Sequence, residues 1–399
     1  MPRMASRPLR KSLAAATIAI EPKTSGWPRA VYDSAIHPAA SPNLGALVTA
    51  ATSAPARDST RFYKTPGFLY NRLLMAPQKT STVLVVSHGP SCLDGVVAAA
   101  VVARFHEGHR VLTTLASNSD SDHAIQSLKA GADELWITDL SWLQPSTAEH
   151  LRELASSGTR IYWIDHHRTA VSRADAPEFR VPFAGKVLSE RYSAARLAFD
   201  YLKRREDELA SEEKRRAFEA FGAFAEIADD HDRWVHRIPE SSDWALAVQT
   251  LGGMASYREI LKLKEPRMSR RLREALQAGR EGLRRSIELA DATRVDRRLA
   301  NGVTVRSACC FGYSSEVAAH LYNGASRTVV ALFDLRSQGV SLRRSPDCAV
   351  DLAKLAEAFG GGGHEAAAGF SLPDLRRVPA ERLSAVLAER LETPKPEPL

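Results

Sequence analysis

Apolar residues along this chain fall into short runs separated by amphipathic stretches, and the first run begins near Thr82. Val83-Leu84-Val85-Val86 is a β-branched run of the kind that fills a parallel strand buried on both faces. Leu93 to Phe105 then has the length and content of a helix. Val111–Leu115, Leu135–Thr138 and Ile161–Ile164 are further short runs, spaced by helical patterns such as Ser146–Ala155. Strand and helix in alternation predict a parallel sheet covered on both faces. Tyr192 to about Ala228 reads as helical. Leu272, Leu276, Leu283, Ile287 and Ala290 recur at helical spacing, which predicts a long helix joining two domains. A second, smaller α/β unit follows, with strands over Arg327–Leu335, Gly339–Arg343 and Ala367–Ser371 and a helix over Ala349–Phe359.

Composition changes this picture only at the start of the chain. The 399 residues suit two domains plus extra chain, and a charged content of 25% is ordinary for a globular protein. The net charge of +7 is uneven: residues 1–57 hold seven Lys/Arg and two acids, which is +5, and leaves +2 for the rest. Residues 1–78, rich in Ala, Ser, Pro and Arg, are therefore expected to be a largely disordered basic extension. Within it, Ser12–Ile20 has a weak signal-like character. Glu21-Pro22 stands where a small-residue cleavage site would be needed, so a plain tail is expected. No run approaches the roughly 18–20 apolar residues of a membrane span. Cys92, Cys309, Cys310 and Cys348 have neither zinc-type pairing nor the density of a disulfide scaffold, which predicts a reducing, cytoplasmic setting.

Candidate chemistry gathers after the strands. His88-Gly89-Pro90-Ser91-Cys92-Leu93-Asp94 follows the first run, Asp139 the third, and Asp165-His166-His167 the fourth. Asp229-Asp230-His231-Asp232-Arg233-Trp234 ends the helical region. Ligands of open parallel sheets bind beyond the carboxyl ends of the strands, so these groups are expected to meet in one crevice. Crowded carboxylates repel, and divalent cations relieve that repulsion. A mixed set of Asp oxygens and His nitrogens suits borderline-hard ions such as Mn²⁺ better than a structural zinc. Taken singly each motif is weak, since an Asp after a strand is often a helix cap. Four in order along one sheet edge are harder to dismiss. In the second unit, Gly360-Gly361-Gly362-Gly363-His364 holds more glycine than a helix cap needs, and Arg343 lies on a neighbouring strand. Both predict anion binding, the loop through exposed amides and the arginine through its guanidinium.

These motifs together resemble the DHH phosphoesterase superfamily, in the branch whose associated C-terminal domain carries Gly-Gly-Gly-His. The resemblance covers roughly residues 80–375. It implies a DHH catalytic domain over 79–245, a helical linker over 246–298 and a DHH-associated substrate-binding domain over 299–392, with a tail over 393–399 and the active site in the inter-domain cleft. It implies two divalent ions, of the Mn²⁺ type. His88 and Asp139 would bind the first, and Asp94, Asp139, His166 and an Asp of the Asp229–Asp230 pair the second, with Asp139 bridging. Asp230 fits the family's Asp-x-Asp-x-Trp pattern, completed by Asp232 and Trp234. His167 would face the scissile phosphate, Asp165 would orient an imidazole, and Arg343 with Gly361, Gly362, Gly363 and His364 would hold the substrate. Cys92 stands where the family commonly has Asp. It would either ligate as a thiolate and favour softer ions, or leave the first site one ligand short.

The function this implies is a metal-dependent phosphodiesterase of the oligoribonuclease or exonuclease kind, hydrolysing short single-stranded oligonucleotides by two-metal activation of water. The alternatives are a phosphoesterase for cyclic or linear dinucleotides or 3′-phosphonucleotides and, in another class, a catalytically silent nucleic-acid-binding scaffold. No membrane partner is expected, and a homodimer is compatible with the sequence.

Overall fold

The computed structural model describes residues 80–371 and 380–392, all within one compact unit, Met75–Leu399. The expected basic extension and the C-terminal tail lie outside the described residues.

The first domain is built on β1 (Thr82–His88), β2 (Arg110–Ala116), β3 (Glu134–Thr138), β4 (Arg160–Asp165) and β5 (Gly185–Leu188). These form a parallel sheet in the order β2-β1-β3-β4-β5. The central strands β3 and β4 carry the continuous apolar runs, as burial on both faces requires. Connecting helices are α1 (Leu93–Phe105), α2 (Ser121–Gln126), α3 (Pro145–Ser156) and α4 (Arg168–Arg173). Helix α1 is Val- and Ala-rich all round, and all its residues but Arg104 are buried, which makes it the hub of the larger core cluster. Gly95 in its first turn lies against the end of β1. A Cβ there would collide with the carbonyl of His88, so only glycine lets helix and strand approach this closely.

The expected long helical stretch from Tyr192 is broken into α5 (Ala194–Lys203), α6 (Glu212–Ala220) and α7 (Gly222–Asp232). Ser193 and Ser211 cap the first two. Then come α8 (Ser241–Leu251), α9 (Gly253–Ile260) and α10 (Arg270–Thr293). The 24 residues of α10 span about 36 Å. This helix lies along α8 and also meets the second domain.

The second domain comprises β6 (Val295–Arg298), β7 (Thr304–Cys310), α11 (Ser314–Tyr322), β8 (Thr328–Asp334), β9 (Gly339–Arg344), α12 (Leu352–Glu357), β10 (Gly362–Gly363), β11 (Ala367–Ser371) and α13 (Ala380–Glu392). Its sheet runs β10-β11-β9-β8-β7-β6, with β7 and β8 parallel and the other pairs antiparallel. One apolar cluster joins the domains: Leu246 of α8 and Ala290 of α10 pack with Val317, Leu321 and Val330.

Candidate functional site

His88 is the last residue of β1, Asp139 follows β3, and Asp165 ends β4, so three neighbouring strands deliver side chains to one sheet edge. Asp139 has φ of +52°, an uncommon conformation for a residue with a Cβ, and one that Asp tolerates better than most. Its amide donates to the Ile164 carbonyl at 2.9 Å, which ties the turn to β4. The buried carboxylate is the centre of the cluster. Oδ1 lies 3.2 Å from Nε2 of His166, and Oδ2 lies 3.4 Å from Nδ1 of His88 and 3.6 Å from Sγ of Cys92. Burial pushes this carboxyl up, but the two imidazoles outweigh it and hold the group far below the ordinary carboxylate range.

Asp94, in the first turn of α1, accepts from the amides of Ala194 and Ala195 at 2.8 and 2.9 Å, at the N-terminus of α5. The same carboxylate lies 3.7 Å from Nε2 of His166, whose Nδ1 lies 3.6 Å from Asp232. Burial, reinforced by Asp139 and Asp232, raises the Asp94 carboxyl well above its usual value. Burial likewise raises Asp232, with Asp139 adding to it and His166 opposing. The Cys92 thiol is pushed up by burial and then by the same carboxylates. His166 goes the other way: burial lowers it, but Asp232, Asp139 and Asp94 together raise it well above the usual imidazole value.

Donor atoms of His88, Cys92 and Asp139 lie within 4.8 Å of one another, and so do those of Asp94, His166 and Asp232. Asp139 stands between the two groups. Asp165 belongs to the support of the site. Its Oδ1 accepts from the amides of His166 and His167 at 2.7 and 3.1 Å and from Nδ1 of His167 at 2.8 Å. Its Oδ2 is buried without a partner.

The sequence reading placed Asp230 among the ligands, and the structure does not bring it there. The Asp230 carboxylate accepts from the amides of Arg237 and Ile238 at 2.8 and 3.2 Å and from Oγ of Ser241 at 2.6 Å, fastening the loop that enters α8. Those bonds hold its carboxyl below its usual value against the opposing effect of burial. Asp229 accepts from the Ser193 amide at 2.7 Å. Asp232 is the carboxylate of α7 that faces His166. Helical geometry was the available signal, since residues two apart are about 200° apart around the axis and Asp230 and Asp232 cannot share a face.

From the second domain, His364 stacks on His167 with ring centroids 5.0 Å apart at 19°, and lies 5.0 Å from His166. Burial, with His167 and His166 adding to it, lowers its pKa to about 3, so this ring is neutral at neutral pH. The glycines do not form the open amide cradle expected of them. The Gly361 amide donates to Ala356 and that of His364 to Ala367, while Gly362 and Gly363 pair with β11 as β10. Gly363, at φ +140°, has its space filled by Ala367 and Ala368, and Gly362 approaches Thr169 of α4. The loop therefore acts by bringing His364 over the two histidines.

Arg343 of β9 donates to Oγ of Ser315 and to the Leu342 carbonyl, both at 2.8 Å. Burial lowers its pKa, while Glu316, Tyr322 and Asp232 favour its charge. Ser315, Glu316 and Tyr322 on α11 carried no motif, so the sequence reading passed over them.

Residues 309–392 match the DHHA1 domain family. The chain carries a DHHA1 domain. The match lies in the second domain, and one solved structure shares the fold. A DHH-domain structure, described as belonging to a family of ribosomal proteins, is 14% identical, covers 78% of this chain and 86% of its own, and aligns with a TM-score of 0.55. The exonuclease RecJ bound to manganese is 16% identical, with coverage of 78% and 91% and a TM-score of 0.48. A pGpG-specific phosphodiesterase, PggH of Vibrio cholerae, is 14% identical, with coverage of 78% and 99% and a TM-score of 0.37. No curated protein matches the sequence. Among the described residues no helix is long and apolar enough to cross a membrane.

Proposed function

We propose that this protein is a metal-dependent phosphodiesterase of the DHH type, acting on short single-stranded oligonucleotides. One observation carries the reading: two donor groups, His88/Cys92/Asp139 and Asp94/His166/Asp232, meet at the carboxyl edge of a parallel sheet, where Asp139 of the first lies 3.2 Å from His166 of the second. The donor set fits two divalent cations. Asp94 and Asp232 are raised by burial and by neighbouring carboxylates, and nearby cations would relieve that cost. The nitrogen and oxygen donors suit Mn²⁺, and a ligating Cys92 thiolate would draw the first site toward softer ions. When bound, such a pair stabilises charge on a phosphoryl group and acidifies water.

The chain's own groups do the rest. Asp165 fixes the proton of His167 at Nδ1 and sets the ring's orientation. His364 packs on that ring from the other domain and helps exclude water. The guanidinium of Arg343, partly desolvated and fixed by Ser315, offers a phosphate a charged partner on the side of Asp232. A cytoplasmic location is consistent with four free cysteines.

The test is incubation of the purified chain and Mn²⁺ with di- to decanucleotides, cyclic dinucleotides and pyrophosphate. Release of mononucleotides from the shortest oligonucleotides is expected. Turnover of cyclic dinucleotides or pyrophosphate alone would overturn the substrate assignment. Binding of oligonucleotide without any hydrolysis would favour a silent scaffold.

A further inference from the structure

The second domain meets the donor cluster from the β4 side. His364 stacks on His167, Gly362 approaches Thr169, and Arg168 pairs with Asp351 at 3.5 Å. On the opposite side of the cluster, one strand over from His88, lies a cavity of about 330 Å³. That places it at the end of β2, about 5 Å from β1 in the sheet. Ala116 pairs with His88 in the register and also lines the cavity. The turn between them is fixed by the Gly89 amide, which donates to the Ala116 carbonyl at 3.0 Å, and by Pro90, whose carbonyl accepts from the Gly253 amide. Pro90 therefore forms a firm wall only two residues from His88.

The lining is of two kinds. Pro90, Leu115 and Ala124 give an apolar surface, and Thr114, Ser117, Asp120, His123 and Ser127 give a rim of hydroxyls, an imidazole and one carboxylate, which accepts from the Ser117 hydroxyl at 2.6 Å. The volume sits at the lower end of the range for small-molecule sites. Apolar walls with polar groups at the edge suit a flat heterocycle, which packs against the first and hydrogen-bonds to the second.

The geometry points to a base subsite: the cavity receives the nucleoside on the far side of the scissile phosphate from the DHHA1 domain. A dinucleotide would then lie across the sheet edge, with one end held by Arg343 and His364 and the other base in the cavity beside Pro90. Two built ends about a central phosphate would favour very short substrates. The assignment rests on the phosphodiesterase reading above.

The test uses the full-length chain with Mn²⁺ and two substrates, a dinucleotide and the same molecule lacking its second base. Two variants probe the cavity, Ser127→Trp to fill it and His123→Ala to remove a rim donor. Both residues are exposed and outside the donor cluster, so the fold and metal content are expected to survive. The wild type should cleave the intact dinucleotide at least about tenfold better in kcat/KM. Ser127→Trp should abolish that preference and leave the abasic substrate within about twofold of wild type, and His123→Ala should reduce it. A preference that survives Ser127→Trp, or equal losses on both substrates, would overturn the subsite. Wild-type protein that cleaves neither substrate would instead overturn the phosphodiesterase reading, and the subsite with it.

Discussion

Asp230 and Asp232 sit two residues apart on one helix and do opposite things. Asp230 accepts two backbone amides and a serine hydroxyl, so Asp230→Ala strands buried donors, at a cost of about 1–3 kcal/mol. Thermal unfolding should show that loss while metal content stays at the wild-type value. Asp232→Ala should behave in reverse, keeping stability and losing one bound cation together with most activity. The contrast checks the reassignment directly, because metal loss in Asp230→Ala with none in Asp232→Ala would restore the original ligand. Cys92 lies 3.6 Å from the Asp139 carboxylate in a group that also holds His88. If the thiol ligates, bound metal should protect it from alkylation, and Cys92→Asp should shift preference toward Mn²⁺ or Mg²⁺ over softer ions. Equal alkylation with and without metal would make it a packing residue.

Elements differ in how plainly the sequence announced them. β1, β3, β4 and β8 are apolar runs between turns, and their position in the chain follows from pattern alone. β7, Thr-Val-Arg-Ser-Ala-Cys-Cys, was missed because its polar residues break the run, although it lies between β8 and β6 with Ser307 fully buried. His88, Asp94, Asp139 and His166 were legible because each stands at the end of a strand, just after one, or in the next helical turn. The carboxylate that α7 brings to the cluster was not, because its direction depends on helix rotation and on where the following loop anchors. At the amino end of β3, Glu134 is buried and bonded to His106 at 3.1 Å, Trp136 at 2.7 Å and Arg160 at 2.7 Å. Burial opposes ionisation there, but these partners win and bring its pKa to about 2. An unfolded glutamate titrates near about 4.3, so the stabilisation is complete above that pH and is lost as pH falls through about 2. Glu134→Gln should therefore be less stable than wild type by on the order of 2–3 kcal/mol at pH 7. Urea unfolding at several pH values should show that gap narrowing below about pH 4; a gap constant with pH would contradict the assignment.

Across the whole molecule, the labour is divided between a domain that concentrates carboxylates and imidazoles and a DHHA1 domain that lends His364 and Arg343. The apolar cluster shared by α8, α10 and α11 holds the two in register, so side chains from both reach one cleft. Arg343→Ala should then lower activity on oligonucleotides by about 10–100-fold, the range for a lost positioning partner, with metal stoichiometry unchanged. Loss of a cation in that variant would show that the division is drawn in the wrong place. The central claim is that Asp139 joins two cation sites, and anomalous X-ray diffraction from Mn²⁺-soaked crystals tests it most directly. The account predicts two peaks flanking the Asp139 carboxylate, one beside His88 and the other among Asp94, His166 and Asp232. A single peak, or one beside Asp230, would contradict it.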